Sequence, residues 1–356
     1  MDNIERFVVN ASRSGSTLLS RMLGEDPGTL SLSEFFGAFD SRLRLAQRPL
    51  TGAEFAVALC GTDEIGLLGL TRGFLIKDIH HEFQATPQDL QRWGVKYQPA
   101  LFAMALPSLS DKPVAYLDEL VAYARAQPAQ GFPDHCRSLW RWMGESLGKK
   151  AWVERTGASL RWVPELCRAF PDALYVHIHR DGPETALSMR NHNWGILAAE
   201  LFERPPSMED LEEAVRNPQP GDADRFGRFF GKDLPPVETY GHYWSYLICN
   251  GYSAFRHLRP EQVLDVRFED LEAHPRRELL RIAEFFRLPG DRDWIDQAAS
   301  LVTGGRVQPR APALPQEERS RLEKACLPGQ VLLGRVDPAW AYEPYRRIRE
   351  VFDRHS

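Results

Sequence analysis

Cysteine is scarce in this chain of 356 residues, and its cysteines are far apart. The five positions are Cys60, Cys136, Cys167, Cys249 and Cys326, and none forms a Cys-x-x-Cys pair. A disulfide framework or a zinc site requires paired spacing, so the pattern argues against both and favours reduced thiols in a cytoplasmic protein. No His, Cys and Asp residues show the spacing of metal ligands either, and we predict no metal site.

Long apolar runs are also absent. No segment approaches the roughly 18 consecutive apolar residues of a transmembrane helix, so we predict no membrane span. Residues 1–6 are polar and acidic and lack the basic and apolar stretches of a signal peptide. The formal net charge is -5, so no overall basic field points to nucleic acid. An anionic ligand therefore requires a local basic pocket.

The chain does contain enough apolar residues for one large core. Hydrophobic residues make up 43% and charged residues 26%, the balance of an ordinary globular protein. Strand-like runs alternate with helical patterns, which predicts an α/β fold with a parallel central sheet flanked by helices. We expect a single domain over 1–356, with insertions at about 84–134 and 203–237 that form an acceptor-side lid.

Six apolar runs are candidate strands of this sheet. They span 7–9, 30–33, 74–79, 151–154, 173–178 and 263–266. Helical patterns are expected at 135–148, 159–169, 183–193, 238–258, 276–287 and 338–353, and a loop at 304–318. In an open parallel sheet, ligands bind beyond the carboxyl ends of the strands. The loops that follow Val9, Ile79, Glu154 and Ile178 are therefore predicted to share one rim.

The turn after the first strand, residues 10–17, has the composition of an anion-binding loop. Small residues lead into a helix whose first N–H groups and dipole favour an anion. Arg13 supplies a positive charge, and the hydroxyls of Ser16 and Thr17 are further donors. Ser16 stands where a kinase-type loop has lysine, which argues against magnesium-dependent ATP chemistry. An ordinary helix N-cap has a similar composition, so the loop alone decides little.

Residues 12–19, Ser-Arg-Ser-Gly-Ser-Thr-Leu-Leu, resemble the 5′-phosphosulfate loop of the sulfotransferases that use 3′-phosphoadenosine-5′-phosphosulfate (PAPS), in its bacterial form. The resemblance implies the P-loop NTPase-like sulfotransferase fold. It also implies that Arg13 neutralises the bridging oxygen as it leaves, a role that suits a guanidinium. The residues implied to bind the 5′ end of PAPS are Arg13, Ser14, Gly15, Ser16, Thr17 and Leu18.

A second strand-to-helix turn carries Arg180 at the end of a strand and Ser188 two turns into the next helix. Both side chains can face one anion, although an ordinary turn in which Arg180 pairs with Asp181 also fits. The block resembles the 3′-phosphate motif of the same family, with its proline shifted by one, at Pro183. The resemblance implies that Arg180 and Ser188 bind the 3′ phosphate of the donor.

The C-terminal part of the chain extends the resemblance. Residues 266–271, followed by Pro275, are similar to the Tyr-Glu-Asp-Leu segment of the family and its proline. A later loop of the family delivers another arginine to the 3′ phosphate, for which Arg306 and Arg310 are the candidates. The resemblance implies PAPS as co-substrate and a hydroxyl of a small-molecule, glycoside or lipid acceptor as its partner.

Two residues are candidates for the base that the acceptor hydroxyl requires. Glu34 begins a Glu-Phe-Phe pattern that is similar to the trehalose branch of the family, and the two phenylalanines are expected to exclude water from it. His80 follows strand 74–79 one residue later than the catalytic histidine of the animal enzymes. Because a shift of one residue reverses the face of a strand, His80 ranks after Glu34.

Three further residues are expected at the acceptor. Lys77, on strand 74–79, is predicted to contact the acceptor or the sulfonate. Glu154 and Arg155 resemble the Glu-Lys-(Ser/Thr)-Pro element that lines the acceptor pocket of carbohydrate sulfotransferases, although Thr156 also fits a simple helix cap. The helical aromatic residues are expected in the core rather than at a substrate. They are Trp140, Trp142, Tyr240, Tyr243, Trp244 and Tyr246.

Two other classes stay open beside a PAPS-dependent sulfotransferase. A P-loop small-molecule kinase would need a lysine in the loop and a magnesium-binding carboxylate, neither of which is apparent. A non-catalytic nucleotide-binding protein of the same fold fits the same motifs. A Ser-His-Asp hydrolase is unsupported because no Gly-x-Ser-x-Gly element is present. The leading hypothesis predicts that Arg13 and Arg180 converge on one cavity.

Overall fold

A computed structural model describes residues 1–39, 43–61, 84–95, 98–203, 234–303 and 309–336. Its centre is a five-stranded sheet formed by β1 (Arg6–Asn10), β2 (Thr29–Ser33), β3 (Ala151–Arg155), β4 (Leu174–His179) and β5 (Val263–Arg267). The spatial order is β2-β3-β1-β4-β5, and every neighbouring pair is parallel. The predicted α/β fold with a parallel sheet is confirmed. Candidate strand 74–79 lies outside the described residues.

Helices flank the sheet. They are α1 (Ser16–Gly24), α2 (Gly52–Leu59), α3 (Pro87–Trp93), α4 (Ala100–Met104), α5 (Pro113–Arg125), α6 (Phe132–Ser146), α7 (Val163–Ala169), α8 (Gly182–Arg190), α9 (Asn193–Glu203), α10 (Val237–Phe255), α11 (Phe268–Ala273), α12 (Pro275–Phe285), α13 (Trp294–Ser300) and α14 (Gln316–Leu332). Short 3-10 turns span Phe36–Ala38, Leu106–Ser108, Ser159–Arg161, Pro260–Gln262 and Ala311–Ala313. Within the described ranges, no helix has the length and apolar character needed to cross a bilayer.

The sheet separates two hydrophobic cores because successive side chains of a strand point to opposite faces. In β1, Phe7 packs into the larger core, where its ring stacks on Tyr175 at a centroid distance of 5.6 Å. The next residue, Val8, packs on the other face with Leu19 and Val176. All five residues of β1 are buried, which explains why its three central residues, 7–9, form an apolar run in the sequence.

Segment 84–134, predicted as an insertion, contributes to the larger core. It contains α3, α4 and α5, and side chains from each helix are fully buried there, among them Trp93, Leu101 and Leu117. Ala100 and Met104 of α4 also line the cavity described below. A lid function of this segment stays a prediction. Most of the second predicted insertion, 203–237, lies outside the described residues.

Helix α14 was not among the predicted helices, and its sequence contains Pro328 and Gly329 near its C-terminal end. Proline inside a helix removes one backbone hydrogen bond, which argues against a helix at the sequence level. Here α14 packs along α10, and a Cβ atom at Gly329 would lie 2.5 Å from the ring of Trp244. Tertiary packing against α10 therefore holds this helix together. The predicted helix at 338–353 lies outside the described residues.

Candidate functional site

The loop between β1 and α1 turns through three residues with left-handed backbone. Ser12, Arg13 and Gly15 have φ angles of 69°, 50° and 85°. A Cβ atom at Gly15 would lie 2.0 Å from the ring of Phe268, so only glycine fits there. Tight turns of this kind present backbone N–H groups as an anion-binding nest, and the start of α1 adds its dipole. The loop therefore has the local geometry of a phosphate site.

Asn10, the last residue of β1, fixes this loop against the turn that follows β3. Its Oδ1 accepts hydrogen bonds from the backbone N–H groups of Ser12 at 2.8 Å and Ala158 at 3.3 Å. Its Nδ2 donates to the carbonyl oxygen of Thr156 at 2.9 Å. The side chain is fully buried, so these bonds are shielded from water. Asn10 lies in the predicted anion-binding segment 10–17, but no role was predicted for it; a polar residue that ends a buried strand was the available signal.

Replacing Asn10 with alanine is expected to lower the free energy of unfolding by about 2–4 kcal/mol, because buried donors and acceptors lose their partners. Urea denaturation checks this value. Asn3→Ala is the control, since exposed Asn3 makes one hydrogen bond, to Arg141, and should change stability by less than about 0.5 kcal/mol. Equal stability of the Asn10 and Asn3 variants would show that Asn10 does not hold the two turns together.

Arg13 reaches the second strand-to-helix turn. Its Nε donates to the Oγ of Ser188 at 3.3 Å, which joins the loop after β1 to the helix after β4. The guanidinium of Arg180 lies over the ring of Phe268, 5.2 Å from its centroid. Phe268 therefore contacts both turns, since the same ring packs at Gly15. The two segments that carried the sequence motifs lie side by side.

Both turns open into one cavity with a volume of about 490 Å³, a size typical of small-molecule sites. Predicted site residues at or after the carboxyl ends of β1, β2, β3 and β4 meet in its lining, as expected for loops that share one edge of a parallel sheet. They are Arg13, Gly15, Ser16, Thr17, Glu34, Arg155, Arg180 and Ser188.

Other predicted site residues lie outside this lining. Ser14 is fully buried, and its Oγ has no hydrogen-bond partner among the described residues. Leu18 packs against the smaller core, and Glu154 is buried beneath the cavity wall. Lys77, His80 and Arg306 lie outside the described residues. Within the described ranges, no three His, Cys, Asp or Glu side chains form a group that could hold a metal ion.

Arg310 also lies outside the lining, because Glu184 of α8 engages it. One oxygen of Glu184 accepts hydrogen bonds from the backbone N–H groups of Arg310 at 2.7 Å and Ala311 at 2.8 Å. The guanidinium of Arg310 in turn donates to the carbonyl oxygen of Glu184 at 3.1 Å. In this arrangement Arg310 fastens the C-terminal segment to α8. The role that the resemblance implies for Arg310 stays a prediction.

Glu34 and Arg155 form an ion pair in the cavity wall. Arg155 donates to one carboxylate oxygen of Glu34, and the backbone N–H of Gly157 donates to the other at 3.0 Å. Glu34 has a φ of 58°, so the chain turns sharply after β2. This turn directs Phe35 and Phe36 into the core, where both are fully buried. Neither phenylalanine lines the cavity, and the expectation that they exclude water from Glu34 stays a prediction.

Glu154 supports this wall from the interior. Its carboxyl accepts hydrogen bonds from the hydroxyl of Thr156 and from the backbone N–H of Phe36, the latter at 3.2 Å. Burial raises the pKa of Glu154 to about 8. Thr156 lines the cavity, whereas Glu154 does not. Its effect on the cavity is therefore indirect, through the position of Thr156.

The remaining wall is largely apolar and comes from helices and turns outside the sheet. Its apolar and aromatic members are Ala100, Met104, Trp162, Met189, Trp194, Ala198, Phe202, Tyr243 and Phe268. Tyr243 is 4% exposed and belongs to the larger core, as expected, but it also lines this wall. An aromatic residue on a helix gives the same sequence pattern whether it faces the core or a cavity. The sequence therefore could not indicate that Tyr243 lines the cavity.

A family model described as "Sulfotransferase family" matches residues 7–293. Among solved structures, the chain is similar to a sulfotransferase domain from the curacin biosynthetic pathway, with 14% identity, coverage of 99% of both chains and a TM-score of 0.47. It is also similar to a sulfotransferase from Mycobacterium avium, with 14% identity, coverage of 90% of this chain and 74% of that one, and a TM-score of 0.43. A sulfotransferase from Mycobacterium tuberculosis H37Rv shows 18% identity, coverage of 91% and 76%, and a TM-score of 0.41. No curated protein matches the chain.

Proposed function

Because the chain belongs to the sulfotransferase family, we propose that it transfers the sulfuryl group of PAPS to a hydroxyl of a small-molecule, glycoside or lipid acceptor. The observation that carries this proposal is the contact between Arg13 and Ser188, which joins two distant turns at one cavity. PAPS has anionic groups at both ends of its adenosine. A cavity with guanidiniums from two separate turns matches that distribution of charge.

The two turns divide the donor between them. Arg13 and the nest at the start of α1, with the hydroxyls of Ser16 and Thr17, bind the 5′ phosphosulfate. Arg180 and Ser188 bind the 3′ phosphate. Arginine suits both places because its planar fork makes paired, charge-assisted hydrogen bonds to phosphate oxygens. The position of Phe268 between Gly15 and Arg180 keeps the two turns at a fixed separation.

In the proposed reaction, the acceptor oxygen forms a bond to sulfur while the bond between sulfur and the bridging phosphate oxygen breaks. The acceptor hydroxyl gives its proton to the carboxylate of Glu34, and the products are a sulfate ester and adenosine 3′,5′-bisphosphate. Arg13 stabilises the negative charge that develops on the bridging oxygen. As in phosphoryl transfer, we expect positioning and electrostatics to supply most of the rate.

Glu34 is the base we propose, since its carboxylate lines the cavity and is oriented by two donors. Arg155 and the N–H of Gly157 hold the carboxylate in place, which reduces the motion needed before proton transfer. His80 stays the second candidate. The side chain of Arg155 belongs to the acceptor end in this scheme, because it contacts Glu34 and the Oγ of Ser33.

Thermal unfolding in the presence of three nucleotides tests the proposal. Adenosine 3′,5′-bisphosphate at a hundred times its dissociation constant should stabilise the protein by about 2.7 kcal/mol, whereas AMP and ATP–magnesium should have little effect. An equal response to ATP–magnesium would contradict the proposal and favour a kinase. Incubation with radiolabelled PAPS and a metabolite extract then tests transfer. Binding of the bisphosphate without any labelled product would indicate a non-catalytic nucleotide-binding protein.

A further inference from the structure

Arg161 is a cation of the cavity wall that the reaction scheme does not use. It ends the 3-10 turn Ser159–Arg161, and its guanidinium carbon lies 4.8 Å from the ring centroid of Trp162. The guanidinium of Arg44 lies over the same indole, at 4.4 Å. Two positive charges are thus gathered at one aromatic side chain, and both Arg161 and Trp162 face the cavity.

The protein offers Arg161 no counter-ion within the part of the chain that the structure describes. Its side chain makes no ion pair there, and its Nε is buried without a hydrogen-bond partner. Glu34 is the carboxylate of the described lining, and Arg155 already pairs with it. Arg161 is partly buried, and a cation that is held partly away from water without an ion-pair partner is costly, so this position is suited to an anion that arrives with a ligand.

Tyr243 offers a second unused donor nearby. Its hydroxyl is buried and has no hydrogen-bond partner among the described residues, although its ring lines the cavity. Burial raises the pKa of this hydroxyl, so it stays protonated at neutral pH and can donate. Arg161 is close enough for its charge to act on the same hydroxyl. A carboxylate could satisfy both groups.

The sheet order places Arg161 with the acceptor rather than with the donor. The residues proposed to bind PAPS follow β1 and β4, whereas Arg155 and Arg161 follow β3, and Glu34 follows β2. Since the strands are ordered β2-β3-β1-β4, the turn that carries Arg161 lies on the Glu34 side of the loop after β1. The apolar ring of Trp162 belongs to the same side.

We propose, building on the sulfotransferase function above, that the acceptor is an amphipathic hydroxy acid. Its hydroxyl meets Glu34, its apolar body packs against Trp162 and the neighbouring wall, and its carboxylate binds Arg161 and Tyr243. Arginine and tyrosine together form charge-assisted hydrogen bonds to a carboxylate and would discriminate against a neutral or cationic acceptor.

The charge of the product tests this inference even while the acceptor is unidentified. The protein is incubated with radiolabelled PAPS and a metabolite extract, and the labelled products are separated by anion exchange at neutral pH. Sulfation of a neutral alcohol gives a product with one negative charge, whereas a hydroxy acid gives one with two. We expect the doubly charged class to dominate and to disappear when the carboxyl groups of the extract are first methylated.

An Arg161→Gln variant links this charge preference to the proposed residue. We expect kcat/KM for the acceptors that give the doubly charged product to fall by a factor of about 10 to 100, mainly because KM for these acceptors rises. The affinity for adenosine 3′,5′-bisphosphate should be unchanged. Tyr243→Phe should show a smaller loss. Arg168→Gln is the matched control, because Arg168 is exposed and pairs with Glu165 outside the cavity.

The possible results separate this inference from the proposed function. Labelled products with one charge, or products that persist after methylation, would overturn the hydroxy-acid acceptor alone. Loss of bisphosphate affinity in Arg161→Gln would assign Arg161 to the donor site, together with Arg180. That result would also overturn the hydroxy-acid acceptor. Absence of both bisphosphate binding and labelled product in the wild-type protein would overturn the sulfotransferase proposal and this inference with it.

Discussion

Arg180→Ala and Arg13→Ala are each expected to weaken binding of adenosine 3′,5′-bisphosphate by a factor of about 100 to 1,000, as expected when one partner of a desolvated charge pair is lost. Each guanidinium lies in the cavity, and each belongs to a different turn. Removal of either one leaves a phosphate of the ligand with fewer charge-assisted hydrogen bonds. Isothermal titration calorimetry gives the affinities directly.

The arginine variants can be compared with Arg21→Ala. Arg21 is exposed near the C-terminal end of α1 and does not line the cavity, so its removal tests for a general effect of lost positive charge. We expect Arg21→Ala to bind the bisphosphate as the wild-type protein does. If Arg13→Ala and Arg180→Ala also bind normally, the two turns do not share one nucleotide and the proposed function loses its basis.

Glu34→Gln is expected to lower kcat for sulfuryl transfer by a factor of about 100 to 10,000, the usual contribution of a positioned general base. The amide is similar in size to the carboxylate and keeps one oxygen that can accept a hydrogen bond from Arg155 or from the N–H of Gly157, but it cannot take up a proton. Bisphosphate affinity should therefore be unchanged. Single-turnover kinetics with labelled PAPS separates the chemical step from binding.

Glu165→Gln is the control for this variant, since Glu165 is partly exposed and pairs with Arg168 outside the cavity. A normal rate in Glu34→Gln would exclude Glu34 as the base and direct attention to His80. A loss of bisphosphate affinity in Glu34→Gln would instead indicate that Glu34 acts through the arrangement of the donor site.

The central sheet and the convergence of the two turns could be predicted because both follow from strong sequence patterns. β1 and β4 are buried strands rich in apolar residues, and parallel strands bring their carboxyl ends to one edge. Arg180 directly follows β4 and Arg13 lies in the short loop after β1, so their placement at one cavity depended little on the details of side-chain packing. The hydrogen bond from Arg13 to Ser188 is a direct contact between the two segments.

Other parts of the site depend on features that a sequence does not display. The positive φ of Glu34 turns Phe35 and Phe36 into the core, and the sequence Glu-Phe-Phe does not predict this backbone conformation. Tyr243 lies on a helix whose aromatic residues mostly fill the core, so its exposure to the cavity is decided by tertiary packing. The role of Asn10 likewise arises from two turns that are distant in sequence.

Helix α9 presents Trp194, Ala198 and Phe202 to the cavity, and their spacing of four residues places them along one face. None of these side chains belongs to the turns proposed to hold the nucleotide. Substitutions along this face can therefore reshape the space for the acceptor while the phosphate-binding turns keep their structure. This separation would let related proteins diversify in substrate range, and would let an engineer do the same, without rebuilding the donor site.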